Sequence, residues 1–182
     1  MIETKRLKIL PLTYSQLIKY AKCNNSLERE LDLEKFQRII PPELREALDK
    51  TIIPNVADKN KNYLYSTLWT AILKVQKRMI GELCMMGEPN AEGEVEIGYG
   101  IYREFQNNGY MTEFLGGIVE WLKSQSRVQS ILAKTEKSNI SSYRVLEKNM
   151  FFKIGENGNL MEWKLKLSTN NQQTDKVREM DG

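Results

Sequence analysis

Residues 94–124 read EVEIGYGIYREFQNNGYMTEFLGGIVEWLKS, and within them a strand, a loop and a helix follow one another. Over 94–102 the positions alternate in the period of a half-buried strand. Val95, Ile97, Tyr99 and Ile101 take one face, while Glu94, Glu96, Gly98, Gly100 and Tyr102 take the other. That second face is bare at two successive positions, so another group can approach the backbone closely there. Over 110–124, Met111, Phe114, Leu115, Ile118, Val119 and Leu122 recur at helical spacing, giving an amphipathic helix. Residues 103–109 join the two. The first N–H groups of a helix lack intrahelical partners and the macrodipole is positive there, which favours an anion by about 0.3 to 2 kcal/mol beyond its hydrogen bonds. Gly109 at this point lets an anion come close, or serves only to turn the chain.

Outward from this block, 6–12 alternates loosely and ends near Pro11, predicting a first strand. Thr13 is placed to cap a helix carrying Leu17, Ile18 and Ala21, and Pro41-Pro42-Glu43 opens a second with Leu44, Ala47 and Leu48. Two antiparallel strands are expected over 63–75 and 79–86 around Gln76-Lys77-Arg78, then a turn over 87–93. A strand over 129–135, a helix over 139–149 and a closing hairpin over 151–155 and 160–167 complete about seven strands. One domain over 1–168 is expected. Residues 169–182 are almost free of apolar side chains and read as a disordered tail.

Composition narrows the chemistry. There is no histidine, which removes Ser-His-Asp and Cys-His catalysis and the commonest metal ligand, and no metal is expected. Cys23 and Cys84 are too few for a disulfide framework and read as structural thiols. A net charge of +3 from 27 basic and 24 acidic residues, without a basic run, predicts neither a nucleic-acid face nor a membrane surface. No apolar run is long enough to span a bilayer and no export signal opens the chain, so a soluble, cytoplasmic protein, monomer or homodimer, is expected.

Several segments together resemble one family. The loop Gln106-Asn107-Asn108-Gly109-Tyr110-Met111 is similar to the Q/R-x-x-G-x-G/A pyrophosphate loop of GNAT acyltransferases, with Met111 replacing the last small residue. Thr4 to Leu7 (T-x-R-L), Glu96 to Tyr99 (E-I-G-Y) and Gly109 to Glu113 (G-Y-x-T-E) resemble its Rim-type branch, which contains ribosomal-protein N-terminal acetyltransferases. Asn139, Ser142, Arg144, Val145, Leu146, Glu147, Lys148 and Phe151 match that branch's N-x-x-S-x-R-V-L-E-K-x-x-F, with Met150 where glycine is usual. The resemblance covers about residues 2–167.

It implies an α+β fold: a mixed, largely antiparallel, V-shaped sheet flanked by helices, with the fourth and fifth strands splayed around acyl-pantetheine. It further implies acetyl-coenzyme A as acyl donor and direct transfer to an amine acceptor, a peptide N-terminus or a small molecule. A coenzyme A-binding sensor or scaffold without turnover is the alternative. Gly100, Ile101 and Tyr102 would offer backbone to the thioester. Gln106, Asn107, Asn108, Gly109, Tyr110, Met111 and Thr112 would hold the pyrophosphate, and Asn139, Ser142 and Arg144 the rest of the coenzyme. The family's usual tyrosine donor falls on Leu146; the resemblance to the Rim-type branch implies instead that the serine of N-x-x-S, here Ser142, protonates the thiolate, with Tyr143 as substitute. Glu96 is the expected base, with Glu94 and Glu82 as alternatives. The acids Glu28, Glu30, Asp32 and Glu34 either attract a cationic acceptor or form a solvated face.

Overall fold

The protein is described here from a computed structural model covering residues 1–167; the expected boundary at 168 and tail over 169–182 lie outside the described residues. The strands are β1 Ile2–Glu3, β2 Leu7–Pro11, β3 Leu68–Leu73, β4 Arg78–Met85, β5 Glu94–Ile101, β6 Ser130–Glu136, β7 Phe152–Asn157 and β8 Leu160–Lys166. They form one sheet in the order β1-β2-β3-β4-β5-β6-β8-β7. Every neighbouring pair is antiparallel except β5–β6. The fold is therefore the expected α+β mixed sheet with one more strand: Ile2–Glu3 pairs with β2 but is too short to show a period in sequence.

The helices are α1 Tyr14–Lys22, α2 Ser26–Glu30, α3 Pro42–Ala47, α4 Ile53–Ala57, α5 Tyr110–Lys123 and α6 Ile140–Lys148. Met111, Phe114, Leu115, Ile118, Val119 and Leu122 of α5 and Leu146 of α6 bury against Leu7, Ile9, Leu73, Leu83, Val95 and Ile97 on one face of the sheet. Full burial of such side chains stabilises by about 1.5 to 3 kcal/mol each. On the other face, Leu17, Tyr20, Leu27, Leu48 and Ile52 from α1 to α4 pack on Leu68, Ile72 and Met79.

Local signals explain the element ends. Thr13 caps α1 as expected, in a box with Gln16: Gln16 N donates to Thr13 Oγ1 at 3.4 Å and Thr13 N to Gln16 Oε1 at 3.0 Å. The strand expected from residue 63 starts only at Leu68, because Asn62 Oδ1 accepts from Leu64 N and holds Tyr63–Tyr65 in a 3₁₀ turn. Pro54 has no N–H, and a π turn over Leu48–Ile52 accommodates it between α3 and α4. Met150 after α6 has φ +65, which explains why glycine suits this position; methionine there costs about 1 to 2 kcal/mol.

Candidate active site

The donor side of the site is a gap in the sheet. β5 pairs with β6 only from Glu94↔Ser130 to Ile97↔Ala133. Beyond Ile97 it keeps only β4, with Ile101 opposite Gly81. Gly81 is required for that approach, since a Cβ there would lie 2.4 Å from Gly100 O. Tyr102 N donates to Ile80 O at 2.8 Å and Met86 N to Glu96 O at 2.9 Å, so even-numbered β5 residues turn their N–H and C=O groups to β4. Tyr99 and Ile101 therefore face the gap, and the backbone donors belong to them rather than to Gly100 and Tyr102. Gly100 lines the cleft as expected and Tyr102 does not, but both turn their N–H groups to β4, so the expected backbone donation from these two residues is corrected by the two-residue period of the strand.

The gap continues into a cleft of about 430 Å³ between β5, the loop before α5, and α6. Loop and helix start are shaped by two left-handed residues, Asn107 at φ +61 and Gly109 at φ +73. Gly109 is the N-cap of α5 and supplies no side chain to its free N–H groups, so Tyr110, Met111 and Thr112 present theirs to the cleft. Met111 buries its side chain in the core, so replacing a small residue leaves the turn intact. Gln106 and Asn107 line the cleft, with Gln106 Nε2 donating to Ile101 O at 3.4 Å. Asn108 does not line it: its Nδ2 donates to Gln106 O at 2.8 Å and stitches the loop from behind.

Helix α6 forms the opposite wall. Asn139 is its N-cap, accepting from Ser142 N at 3.2 Å, and both residues line the cleft. Ser142 Oγ donates to Tyr99 Oη at 3.2 Å, and burial pushes the Tyr99 hydroxyl up to about 12 despite that contact. Tyr143 is corrected as a donor candidate: its hydroxyl donates to Glu136 O at 3.1 Å and its ring packs on Trp163, away from the cleft. Arg144 and Lys148, one turn apart, add cations to the wall.

On the opposite face of β5, Glu82 of β4 stands across from Gly100, its Oε1 4.0 Å from where a Cβ on Gly100 would be. It is enclosed with Tyr20, Tyr102 and Arg38, and Phe36 from the irregular stretch 31–41 stacks on Tyr102 at 5.4 Å. Glu82 Oε2, the Tyr102 hydroxyl and Arg38 Nε are buried without hydrogen-bond partners. Burial pushes the Glu82 carboxyl up to about 7, against the opposing pull of Tyr102, Arg38 and Tyr20. Glu96 shares this face but lies about 13 Å further back along the strand at roughly 3.3 Å per residue. There β5 and β6 are still paired, and Glu96 is bound to Lys134 at 2.9 Å. Glu94 is further still, paired with Lys164 at 2.6 Å. Neither reaches the gap, which corrects the expectation for Glu96; of the three carboxylates only Glu82 stands across from Gly100.

The model of the acetyltransferase (GNAT) domain matches residues 6–151. The chain belongs to the GNAT acetyltransferases. Among similar proteins is the uncharacterized N-acetyltransferase YjdG of Bacillus subtilis (strain 168), 23% identical over 90% of this chain and 96% of that protein. Similar solved structures include RimL, the ribosomal L7/L12 alpha-N-protein acetyltransferase in complex with coenzyme A, with 17% identity, TM-score 0.64 and coverage of 92% and 97%. The spermidine N-acetyltransferase from Vibrio cholerae in complex with coenzyme A and spermine matches with 15% identity, TM-score 0.62 and coverage of 91% and 98%. At these identities the structural matches show the GNAT fold alone.

Within this GNAT domain three of the four acids, Glu28, Glu30 and Asp32, are ion-paired, with Arg38, Lys19 and Lys77 respectively, and Glu34 is exposed without an ion pair among the described residues. Sequence reading did not assign Lys148 or Tyr99. Lys148 was signalled by its i+4 spacing from Arg144, and Tyr99 by its odd position on β5. Burial also pushes the half-buried Cys84 thiol up to about 11, as suits an inert side chain packed against the core.

Proposed function

We propose that this GNAT acetyltransferase moves an acetyl group from acetyl-coenzyme A to a primary amine by direct attack in a ternary complex. One observation carries the reading: a gap with free strand backbone and a buried carboxyl with a raised pKa occupy opposite faces of the same β5 segment at Gly100–Ile101. Acetyl-coenzyme A supplies the activated thioester. The cleft residues fit it: the N–H groups at Tyr110 to Thr112 suit a pyrophosphate, Arg144 and Lys148 suit further phosphate charge, and Asn139 suits the amide arm.

The Tyr99 and Ile101 N–H groups are positioned to stabilise an oxyanion at the thioester carbonyl. Glu82, balanced near neutral pH, takes the proton of the amine directly or through water. The Ser142–Tyr99 hydroxyl pair keeps its protons at neutral pH and returns one to the departing thiolate. Holding both reactants in one frame contributes about 7 to 11 kcal/mol to lowering the barrier, so no histidine is required. Because Glu28, Glu30 and Asp32 are already paired and only Glu34 of that group is left without an ion pair among the described residues, a single-amine acceptor such as a peptide N-terminus is favoured over a polyamine.

Thiol release from acetyl-coenzyme A, measured with peptides bearing free N-termini, polyamines and aminoglycosides, tests this. Acetylation of at least one amine, with peptides ahead of polyamines, is the expected result. Coenzyme A binding without turnover on any amine would favour the sensor alternative.

A further inference from the structure

The T-x-R-L stretch at the start of the chain has no part in the chemistry above, and its side chains lie outside the cleft lining. They nevertheless converge on the loop that forms it. Thr4 Oγ1 and Arg6 N both donate to Glu113 Oε1 at 2.6 Å, and Arg6 Nε donates to Glu113 Oε2 at 2.6 Å. Arg6 Nη1 donates to Asn108 O at 3.0 Å, and the guanidinium lies over the Tyr110 ring, 4.4 Å from its centroid. Arg6 Nη2 is 3.6 Å from where a Cβ on Gly109 would be. One side chain thus touches the loop on both sides of Gly109 and the first turn of α5, while its backbone is fixed just before β2.

Two physical consequences follow. Asn107 and Gly109 both hold left-handed conformations, and the Asn108 carbonyl between them is tied to Arg6 rather than left to rotate. The planar guanidinium is suited to such a bridge because its donors point in fixed, different directions, which an ammonium cannot reproduce. Glu113, in the first turn of α5, would also place a negative charge beside an anion site. Arg6 neutralises it. Burial opposes ionisation of Glu113, but the Thr4 and Arg6 hydrogen bonds outweigh burial and hold its carboxyl below the usual range.

We infer that Arg6 is a positioning residue for the coenzyme pyrophosphate: from outside the cleft it sets the loop geometry at 108–110 and cancels the Glu113 charge, so that the helix start accepts a diphosphate. This rests on the coenzyme reading above and adds a determinant to it. The test compares coenzyme A with pantetheine, which lacks the pyrophosphate, in calorimetric titrations of wild-type and Arg6→Gln chains. Arg6→Gln is expected to weaken coenzyme A roughly tenfold or more and to change pantetheine binding by less than about twofold, since only the former presents a charged diphosphate to the loop.

Arg6→Lys, which keeps the charge and guards against a misfolded Gln variant, is expected to give an intermediate loss because it cannot bridge Asn108 and Glu113 together. Equal weakening of both ligands in the Gln variant would reduce Arg6 to a structural residue and overturn the inference. So would unchanged coenzyme A affinity in both variants. Failure of the wild-type chain itself to bind coenzyme A would instead overturn the coenzyme reading, and the inference with it.

Discussion

Replacing Gly109 with Asp is expected to weaken coenzyme A binding by two or more orders of magnitude while the chain remains folded. Gly109 has φ +73, a region that aspartate visits more readily than most side chains, at a cost of about 1 to 2 kcal/mol. Space is available, since the nearest atom to a new Cβ is Arg6 Nη2 at 3.6 Å. The carboxylate would complement the positive end of the α5 macrodipole, which supports folding. Two unit charges about 4 Å apart interact by roughly 4 kcal/mol at an effective dielectric of 20, enough for more than a hundredfold change in affinity. Gly109→Asn separates charge from backbone, because it can take the same left-handed conformation without adding a charge and should lose no more than about tenfold. Calorimetric titration checks both; near-wild-type affinity in the Asp variant would move the anion site elsewhere.

Glu82→Gln is expected to act on activity and stability in opposite directions. Loss of a positioned base lowers kcat by about 10² to 10⁴ on the best acceptor, and wild-type kcat/KM should rise with pH and level off above about 7. For stability, the folded pKa of about 7 lies above the ordinary value of 4.5, so the folded chain holds this proton more tightly than the unfolded chain. The resulting stabilisation is fully present below pH 4.5 and is lost as pH rises through 7, where the ionised carboxylate is buried. The difference amounts to roughly 3 kcal/mol. Glutamine removes the charge, so the variant should be more stable than wild type at pH 8 and about equal to it at pH 4. Urea unfolding at the two pH values and a pH–rate profile check both halves. Retained turnover would remove Glu82 as base, and equal stability at pH 8 would mean that its carboxyl is not buried as an ion.

The block 94–124 was legible because its strand and helix each bury one face, and burial leaves a period in the sequence. Thr13 was legible as a cap because threonine just before a helical apolar run is an N-cap signal, while its box with Gln16 is seen only in the structure. β1 was not, since Ile2–Glu3 is too short to show a period, and residues 31–41 were not, since they form no regular element. In the site, alternation gave the face of Glu96 without its depth, which depends on where β6 leaves β5, and the position of Glu82 opposite Gly100 is set by the β4–β5 register. Ser142 and Tyr143 are neighbours on one helix, and only the placement of α6 against Tyr99 and Trp163 decides which enters the cleft. The T-x-R-L and G-Y-x-T-E stretches were both visible, but that Arg6 and Glu113 meet is a long-range contact that no local pattern records.

The central claim is that one cleft holds the coenzyme with its pyrophosphate on the start of α5 and its thioester in the β5–β6 gap. Amide hydrogen exchange of the wild-type chain with and without saturating acetyl-coenzyme A tests it at single-residue level. Added protection at Tyr110, Met111 and Thr112 and at Tyr99 and Ile101, with little change at Gly100 and Tyr102 already bonded toward β4, is the result this account requires. Protection confined to other elements, or none despite saturation, would contradict it.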